Sequence, residues 1–229
     1  MIKLYDRRIL VWQGLQRSRI LGLDYSYMLY FKRDQLAEVL QGLSDIAVSE
    51  FPPTFILFPD HLLTIPLGKM PPFSEDDFYQ YDAAEITFDT TLVFDMDEAI
   101  LDWGHAQQVD ASFYSPIWMD YEYPVSIGYI YLTVFNDLSA YDPEITLDLE
   151  DLVLFNFGTT GTRMSTMFRY STSIRKTFTV ILKKYKGICG LFNDEENGEV
   201  FWLNGQEMSE YSKDIWLSPY EIEKQLSAK

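Results

Sequence analysis

The sequence predicts an α+β fold: a mainly antiparallel sheet with two principal amphipathic helices and a short C-terminal helix. Three observations support this. Much of the chain consists of short runs rich in β-branched and aromatic residues, separated by turn signals. Apolar residues recur at helical spacing in only two longer stretches, 34–47 and 173–186. The strands also follow one another without a helix between each pair, unlike the regular alternation that builds a parallel sheet.

The first part of the chain is predicted to begin with a strand, Tyr25–Lys32, followed by the first helix. Pro52 and Pro53 end any helix, because proline blocks the helical hydrogen bond. Two short strands, Thr54–Phe58 and Leu62–Leu67, then flank a turn at residues 59–61. This order predicts strand, helix, strand, strand for residues 25–67.

The middle of the chain is predicted to contain one exposed loop and two strands. Prolines, acids and aromatics mix in Lys69–Asp82, which is typical of an exposed loop. Apolar residues alternate in Ile86–Phe94, as in one long strand or a hairpin, and Asp97–Trp103 fits a helical turn. Val125–Phe135 is apolar on both faces, which predicts a strand at the centre of the sheet.

The last third is predicted to contain further strands and the better of the two helices. Leu152–Phe157 and Met164–Tyr170 read as strands around a glycine turn. The helix at 173–186 has serine N-cap residues before it and Gly187 at its end, the position that favours glycine. A hairpin of Ile188–Phe192 and Glu199–Leu203 follows.

The chain ends with a capping-box pattern, Ser218-Pro219-Tyr220-Glu221, which predicts a short helix to about Ala228. Residues 163–203 repeat the predicted order of residues 25–67, so a tandem β-α-β-β pseudo-repeat is one interpretation. A common element order arising without duplication is the other. We expect one domain over residues 1–229, with a split into subdomains near 110–123 as the alternative.

Charge is distributed unevenly along the 229-residue chain, whose net charge is −17. Residues 48–160 contain 21 acids and one base, Lys69, whereas the segments before and after are close to neutral. Arg163–Lys186 contains seven bases and no acid. The acidic middle therefore packs against this basic stretch, serves solubility alone, or faces a basic partner. A field of this sign repels phosphate, so we expect neither nucleic acid nor anionic lipid as a direct ligand.

Aromatic residues lie among the acids of the middle segment, and this mixture suits a protein interface. We therefore expect an acidic binding or inhibitor module that docks a basic protein partner, in the manner of bacterial immunity proteins that neutralise a toxin. The alternatives are that these aromatics lie in the core, or that the chain is an assembly subunit forming homo-oligomers through a sheet edge. The predicted binding residues are Glu75, Asp76, Asp77, Tyr79, Tyr81, Trp103, Trp118, Tyr121 and Tyr123.

An enzymatic alternative comes from Leu92–Asp97, an apolar strand that ends in Asp-x-Asp. These six residues resemble the first motif of the haloacid-dehalogenase-like phosphatases. The resemblance implies a metal-dependent phosphatase in which Asp95 attacks phosphorus and Asp97 is the general acid/base, with Mg²⁺ nearby. The competing interpretation is a strand that ends in solvated acids.

Common catalytic signatures such as G-x-S-x-G, H-E-x-x-H, C-x-x-C and G-x-G-x-x-G do not occur in the sequence. The glycine-rich run Gly158–Arg163 predicts a turn or an anion cradle, but it lacks the lysine of a P-loop. We therefore expect a binding protein rather than an enzyme, with no cofactor and no bound metal.

The sequence also predicts a cytoplasmic protein with no membrane contact. Its start has no apolar core of the kind that a secretory signal requires. The uncharged run Tyr123–Asn136 is shorter than the roughly 20 residues of a membrane helix. A single cysteine, Cys189, excludes an internal disulfide and favours a reducing compartment.

Overall fold

The computed structural model describes residues 23–48, 52–69, 78–106, 125–141, 151–195 and 198–208. Their strands are β1 (Ser26–Lys32), β2 (Thr54–Leu57), β3 (Leu62–Ile65), β4 (Gly68–Lys69), β5 (Phe78–Gln80), β6 (Glu85–Phe94), β7 (Val125–Phe135), β8 (Leu152–Gly158), β9 (Cys189–Asn193), β10 (Gly198–Leu203) and β11 (Gln206–Glu207). Their α-helices are α1 (Leu36–Ser44), α2 (Glu98–Ala106), α3 (Leu138–Tyr141), α4 (Thr162–Tyr170) and α5 (Thr172–Lys184).

The strands form one large antiparallel sheet and one small sheet, which confirms the predicted α+β class. The large sheet has eight strands in the order β11-β10-β9-β1-β8-β7-β6-β4. The small sheet has the order β3-β2-β5, with β2 antiparallel to β3 and parallel to β5. The first of the described strands is therefore central, because β1 pairs with β8 on one side and β9 on the other.

The main core lies between the large sheet and its helices. The predicted apolar stripes of α1 and α5 both point into it: Leu40 and Phe178 are fully buried in one cluster with Leu29, Phe88 and Phe155 of the sheet. A second, smaller cluster covers part of the opposite sheet face. The two predicted helices thus share one sheet face, as the spacing of their apolar residues indicates.

Met164–Tyr170 is helical and not a strand, so this prediction was wrong. The residues belong to α4, in which Met164, Met167 and Phe168 are buried. Those positions are spaced i, i+3, i+4, which places them on one face of a helix. The first element of the second predicted block is thus a helix, and the pseudo-repeat is not confirmed.

The outer face of β7 also differs from the prediction. The strand is central, between β6 and β8, but its burial alternates, and Tyr129 is 52% exposed. A central strand of an antiparallel sheet can leave one face to solvent, and here the apolar residues on that face are largely tyrosine.

The helix boundaries differ from the prediction: the first helix is shorter at both ends, and the second begins one residue earlier and ends two residues earlier. The first helix covers Leu36–Ser44 and follows a 3₁₀ turn, and the helix Thr172–Lys184 is N-capped by Ser171, whose hydroxyl accepts from Ile174 N at 3.1 Å. At the other end of that helix, Lys186 and not Gly187 follows the C-cap residue Tyr185, and Lys186 takes the left-handed conformation with φ of 52°. Gly187 is required for a different reason, since a Cβ there would lie 2.2 Å from a Leu182 methyl group.

Several predictions fall wholly or partly outside the described residues. These are the terminal helix from Ser218, the subdomain split at 110–123 and residues 70–77 of the predicted loop Lys69–Asp82. The end of that loop is within the structure and is not a loop, because Phe78–Gln80 is strand β5. Within the described ranges, both edge strands of the large sheet, β4 and β11, have two residues, a length that limits edge-to-edge pairing.

Candidate functional site

The strongest candidate for a binding surface is the end of the β2–β3 hairpin. Phe58 N donates to His61 O at 2.9 Å and closes the turn between the two strands. The Phe58 ring stacks on the His61 ring, with centroids 4.9 Å apart and planes 7° apart. The Tyr81 ring stacks on Phe58 as well, at 5.3 Å and 28°.

Backbone contacts fix this aromatic stack. Tyr81 N donates to Leu57 O at 3.1 Å, which extends the parallel pairing of β5 with β2. The buried side-chain amide of Asn136 donates to the carbonyl oxygens of Tyr81 and Ala83, each at 2.9 Å. These bonds hold the hairpin end against the start of β6 and the end of β7.

Carboxylates and exposed apolar groups surround the stack. Asp60 accepts from His61 Nδ1 at 2.7 Å, and this hydrogen bond lowers the pKa of the Asp60 carboxyl. Leu57 is 37% exposed and Leu62 is 52% exposed. We call this surface the acidic tip, and it consists of Leu57, Phe58, Asp60, His61, Leu62, Tyr81 and Asp82.

Of the predicted binding residues, Tyr81 lies in the acidic tip, where it is half-buried and also packs against the main core. Tyr79 is half-buried: its hydroxyl donates to Thr87 O at 2.8 Å, its ring packs edge-on against Phe88, and burial raises its pKa. Trp103 is also half-buried and packs against the main core. The other predicted binding residues, Glu75, Asp76, Asp77, Trp118, Tyr121 and Tyr123, lie outside the described residues.

Sequence reasoning missed Phe58 and His61 as members of a surface. The signal was present, because Pro59-Asp60 is a turn dipeptide with an aromatic residue on each side of it. The turn itself was predicted, but a ring on each side of a tight turn also indicates that the two rings lie close together.

Asp95 and Asp97, the pair in the phosphatase resemblance, have different surroundings. The Asp95 side chain is 69% exposed and lies 4.0 Å from Lys176 Nζ. Asp97 Oδ1 accepts from Ile100 N at 3.0 Å and so caps α2. Its other oxygen, Oδ2, accepts from Ser171 Oγ at 2.8 Å and Ser173 N at 2.9 Å, at the start of α5.

Asp97 therefore joins the N-termini of two helices, where a carboxylate is stabilised by the helix dipoles and by unpaired N–H groups. The resemblance implies repeated βαβ units with parallel strands, but β6 pairs antiparallel with β7 and with β4. The fold that the Asp-x-Asp resemblance implies is therefore not the fold of the large sheet.

The basic stretch at Arg163–Lys186 pairs largely with acids outside the acidic middle. Arg169 binds Asp194 at 2.9 Å and Arg175 binds Glu199 at 2.6 Å, both in the last third of the chain. Lys184 lies 3.6 Å from Asp45, in the first segment. Among the described residues, Lys176–Asp95 is the ion pair that joins the basic stretch to the acidic middle. Mutual neutralisation of the two segments is therefore slight in this part of the chain.

The glycine-rich run at 158–163 is a turn between β8 and α4. Its polar groups bind the chain that precedes β1: Thr159 N donates to Tyr25 O at 3.1 Å, and Thr162 Oγ1 accepts from Leu23 N at 3.1 Å. The Ser165 hydroxyl accepts from Tyr25 N at 3.2 Å. This loop serves to anchor the start of β1.

Other chemistry is sparse in the described part of the chain. No three His, Cys, Asp or Glu side chains converge there in a way that could hold a metal ion. Burial raises the pKa of the Cys189 thiol to about 12, which disfavours the reactive thiolate. No described helix has both the length and the apolar character needed to cross a membrane. The chain matches no family model, no curated protein and no solved structure among those compared with it.

Proposed function

We propose that this protein is an acidic binding module whose acidic tip docks a basic protein partner, in the manner of an immunity protein that neutralises a toxin. One observation carries the proposal. At the acidic tip, exposed leucines and half-buried aromatic rings lie among carboxylates that form no ion pair with any lysine or arginine of the described residues. Protein interfaces combine such anchors with a charged rim.

The wider surroundings support the same sign of partner. Ten acids of the 48–160 segment are described, and eight of them are exposed. Among those eight, Asp95 has a lysine or arginine nitrogen within 4.0 Å, while Asp60 pairs with His61. Glu85 and Asp137 are close to the tip, since Asp137 N donates to Ala84 O at 3.2 Å. Exposed charges of one sign accelerate association with an oppositely charged partner.

Rigidity of the tip supports binding without rearrangement. The stacked rings and the two Asn136 hydrogen bonds hold Tyr81 in place before any partner arrives. A preorganised surface loses less conformational entropy on binding, so more of the contact energy appears as affinity.

A pull-down from the native host's lysate, with two charge-matched variants, tests the proposal. The tip variant carries Asp60→Lys and Asp82→Lys, and the control carries Glu38→Lys and Asp102→Lys on the exposed sides of α1 and α2. Both variants change the net charge of −17 by the same four units. Circular dichroism and thermal melting establish that both are folded.

We expect the wild type and the control variant to retain the same basic protein at low salt and to release it at high salt, because salt screens exposed charges. The tip variant should not retain it. Retention by the tip variant equal to that of the control would exclude the acidic tip as the binding surface. Equal loss from both variants would indicate diffuse attraction by net charge and would also reject the proposal.

A further inference from the structure

We infer that the groove between α5 and the β10–β11 hairpin binds an acidic peptide segment of a partner protein, with two carboxylates on either side of an apolar side chain. This site is separate from the acidic tip in charge and in place. It lies at the β10–β11 side of the large sheet, while the tip lies at the β6 side, five strand spacings or about 24 Å away. The inference does not depend on the function proposed for the tip.

The groove has a volume of about 1260 Å³, and its lining mixes polar and apolar side chains, with aromatic rings at its floor. Phe192 and Trp202 form part of this floor, and the Trp202 indole donates to Gly187 O at 2.8 Å, so its orientation is fixed. One wall is the outer side of α5 with the end of α4, and the other is β10–β11 with Met208. A space of this size accommodates a short peptide rather than a single ion.

The charged side chains of the groove form two sets: arginines that are paired with acids of the groove, and exposed lysines that can contact a ligand. Arg169 and Arg175 are held by Asp194 and Glu199 at 2.9 and 2.6 Å, so these four groups belong to the wall. Lys176 and Lys183 on α5 are different. The Lys176 side chain is 74% exposed, with Asp95 as far as 4.0 Å away. The exposed Lys183 forms no ion pair with any acid in the described ranges.

Exposed apolar groups lie between and beside the two lysines. Val180 is 53% exposed and is four residues after Lys176 and three before Lys183, so all three share one side of α5. Tyr170, at the end of α4, is 67% exposed and lines the same groove. Seven residues of helix separate the lysine Cα atoms by about 10 Å, a distance that one phosphate group does not span.

Charge complementarity selects an acidic peptide as the occupant. In an extended peptide Glu-x-Leu-x-Glu, the three named side chains point to one face, and the two carboxylates are about 13 Å apart. The flexible lysine side chains absorb the difference from the helix spacing. Glu207 on the opposite wall is exposed and repels a carboxylate, which directs the acidic side of the peptide toward α5. A second copy of the chain is disfavoured because each copy carries a net charge of −17.

The test measures fluorescence anisotropy of a labelled peptide, Gly-Ser-Glu-Gly-Leu-Gly-Glu-Ser-Gly, against the full chain. A peptide with glutamine in place of both glutamates is the matched ligand control. The groove variant carries Lys176→Gln and Lys183→Gln, and the charge-matched control carries Lys32→Gln and Lys186→Gln, which change exposed lysines outside the groove. A Val180→Asp variant tests the apolar contact.

We expect the groove variant to bind the glutamate peptide about ten-fold more weakly than the wild type, because two exposed charge contacts are lost. Val180→Asp should weaken binding by a similar factor, and the lysine control should bind as the wild type does. Equal affinity for both peptides, or equal affinity of the groove variant and the lysine control, would overturn the inference, as would no wild-type binding at millimolar peptide.

Two further measurements distinguish the acidic peptide from the two other possible occupants, an inorganic anion and a second copy of the chain. Displacement of the peptide by 10 mM inorganic phosphate would identify a simple anion site instead. Concentration-dependent self-association in sedimentation velocity that Val180→Asp abolishes would assign the groove to a second copy. We expect neither result.

Discussion

The carboxylate of Asp97 should contribute more to stability than any other exposed or half-exposed acid near it, and this can be measured. Its Oδ1 caps α2 through Ile100 N, and its Oδ2 accepts from Ser173 N and from the Ser171 hydroxyl at the start of α5. Asp97→Ala removes all of these acceptors at once. The N-terminus of α2 then loses its cap, that of α5 loses an additional acceptor, and two backbone N–H groups lose their partner.

The expected cost follows from the number of contacts. Loss of one N-cap acceptor costs about 1 kcal/mol, and a carboxylate at a helix N-terminus contributes roughly 0.3–1 kcal/mol more through the dipole. For two helices, of which α5 keeps its Ser171 cap, we expect Asp97→Ala to lower the free energy of unfolding by about 2 to 3 kcal/mol. For a chain of this length that corresponds to a melting temperature about 5 to 10 °C lower.

Asp95→Ala is the matched control. That side chain is two residues away and 69% exposed, and it has one long ion pair of 4.0 Å. Its loss should cost less than about 0.5 kcal/mol. Asp97→Asn keeps one acceptor oxygen, so its effect should lie between those of the two alanine variants.

The assay is urea unfolding followed by tryptophan fluorescence and circular dichroism. A double-mutant cycle of Asp97→Ala with Ser171→Ala should give a coupling energy above about 0.5 kcal/mol, because the two side chains are 2.8 Å apart. Unfolding free energies for Asp97→Ala and Asp95→Ala that agree within error would refute the capping role. Unchanged stability together with lost phosphatase activity would return Asp97 to the catalytic role that the sequence resemblance implies.

Three other predictions concern packing, pH and association. Gly187→Ala should cost about 1 to 3 kcal/mol in urea unfolding because of the 2.2 Å contact with Leu182, whereas Gly161→Ala, with open space at its Cβ, should not match that cost. Burial raises the pKa of Asp89, so this group favours the folded state less as pH rises through its pKa. Asp89→Asn should therefore stabilise the protein at pH 7 more than at pH 3, and an equal effect at both values would contradict this. Reversing the three acids at 75–77 should slow association with the basic partner more than it speeds dissociation, as measured by surface plasmon resonance; unchanged rates would remove that loop from the interface.

Local signals in the sequence predicted most elements of the fold. The helix of α5 follows from its serine cap and apolar stripe, and the hairpin β9–β10 from two apolar runs around a turn. The strand prediction for Met164–Tyr170 was wrong because a short run of methionine, serine and phenylalanine fits both a strand and a helix. Burial against the sheet decides between them, and burial is not visible in the local sequence.

The candidate site was less predictable because its parts are distant in the chain. Tyr81 stacks on Phe58 across 23 positions, and Asn136 reaches Tyr81 across 55. The role of Asp97 depends on serines 74 and 76 residues later. The residues next to a side chain in the sequence indicate whether a carboxylate is exposed or an aromatic ring is buried. They do not indicate which distant side chain will contact it in the fold.

The central position of β1 has a consequence for protein synthesis. Both of its neighbours come late in the chain, since β8 begins at Leu152 and β9 ends at Asn193. At a translation rate of about 5 to 20 residues per second, the ribosome needs roughly 8 to 32 s after completing β1 to complete its second neighbour. Until β8 is complete at Gly158, roughly 6 to 25 s after β1, both edges of this largely apolar strand are unpaired. We therefore expect the nascent chain to depend on chaperones. The yield of folded protein should rise when fewer nascent chains are present, because fewer chains can then pair with the open edges of β1.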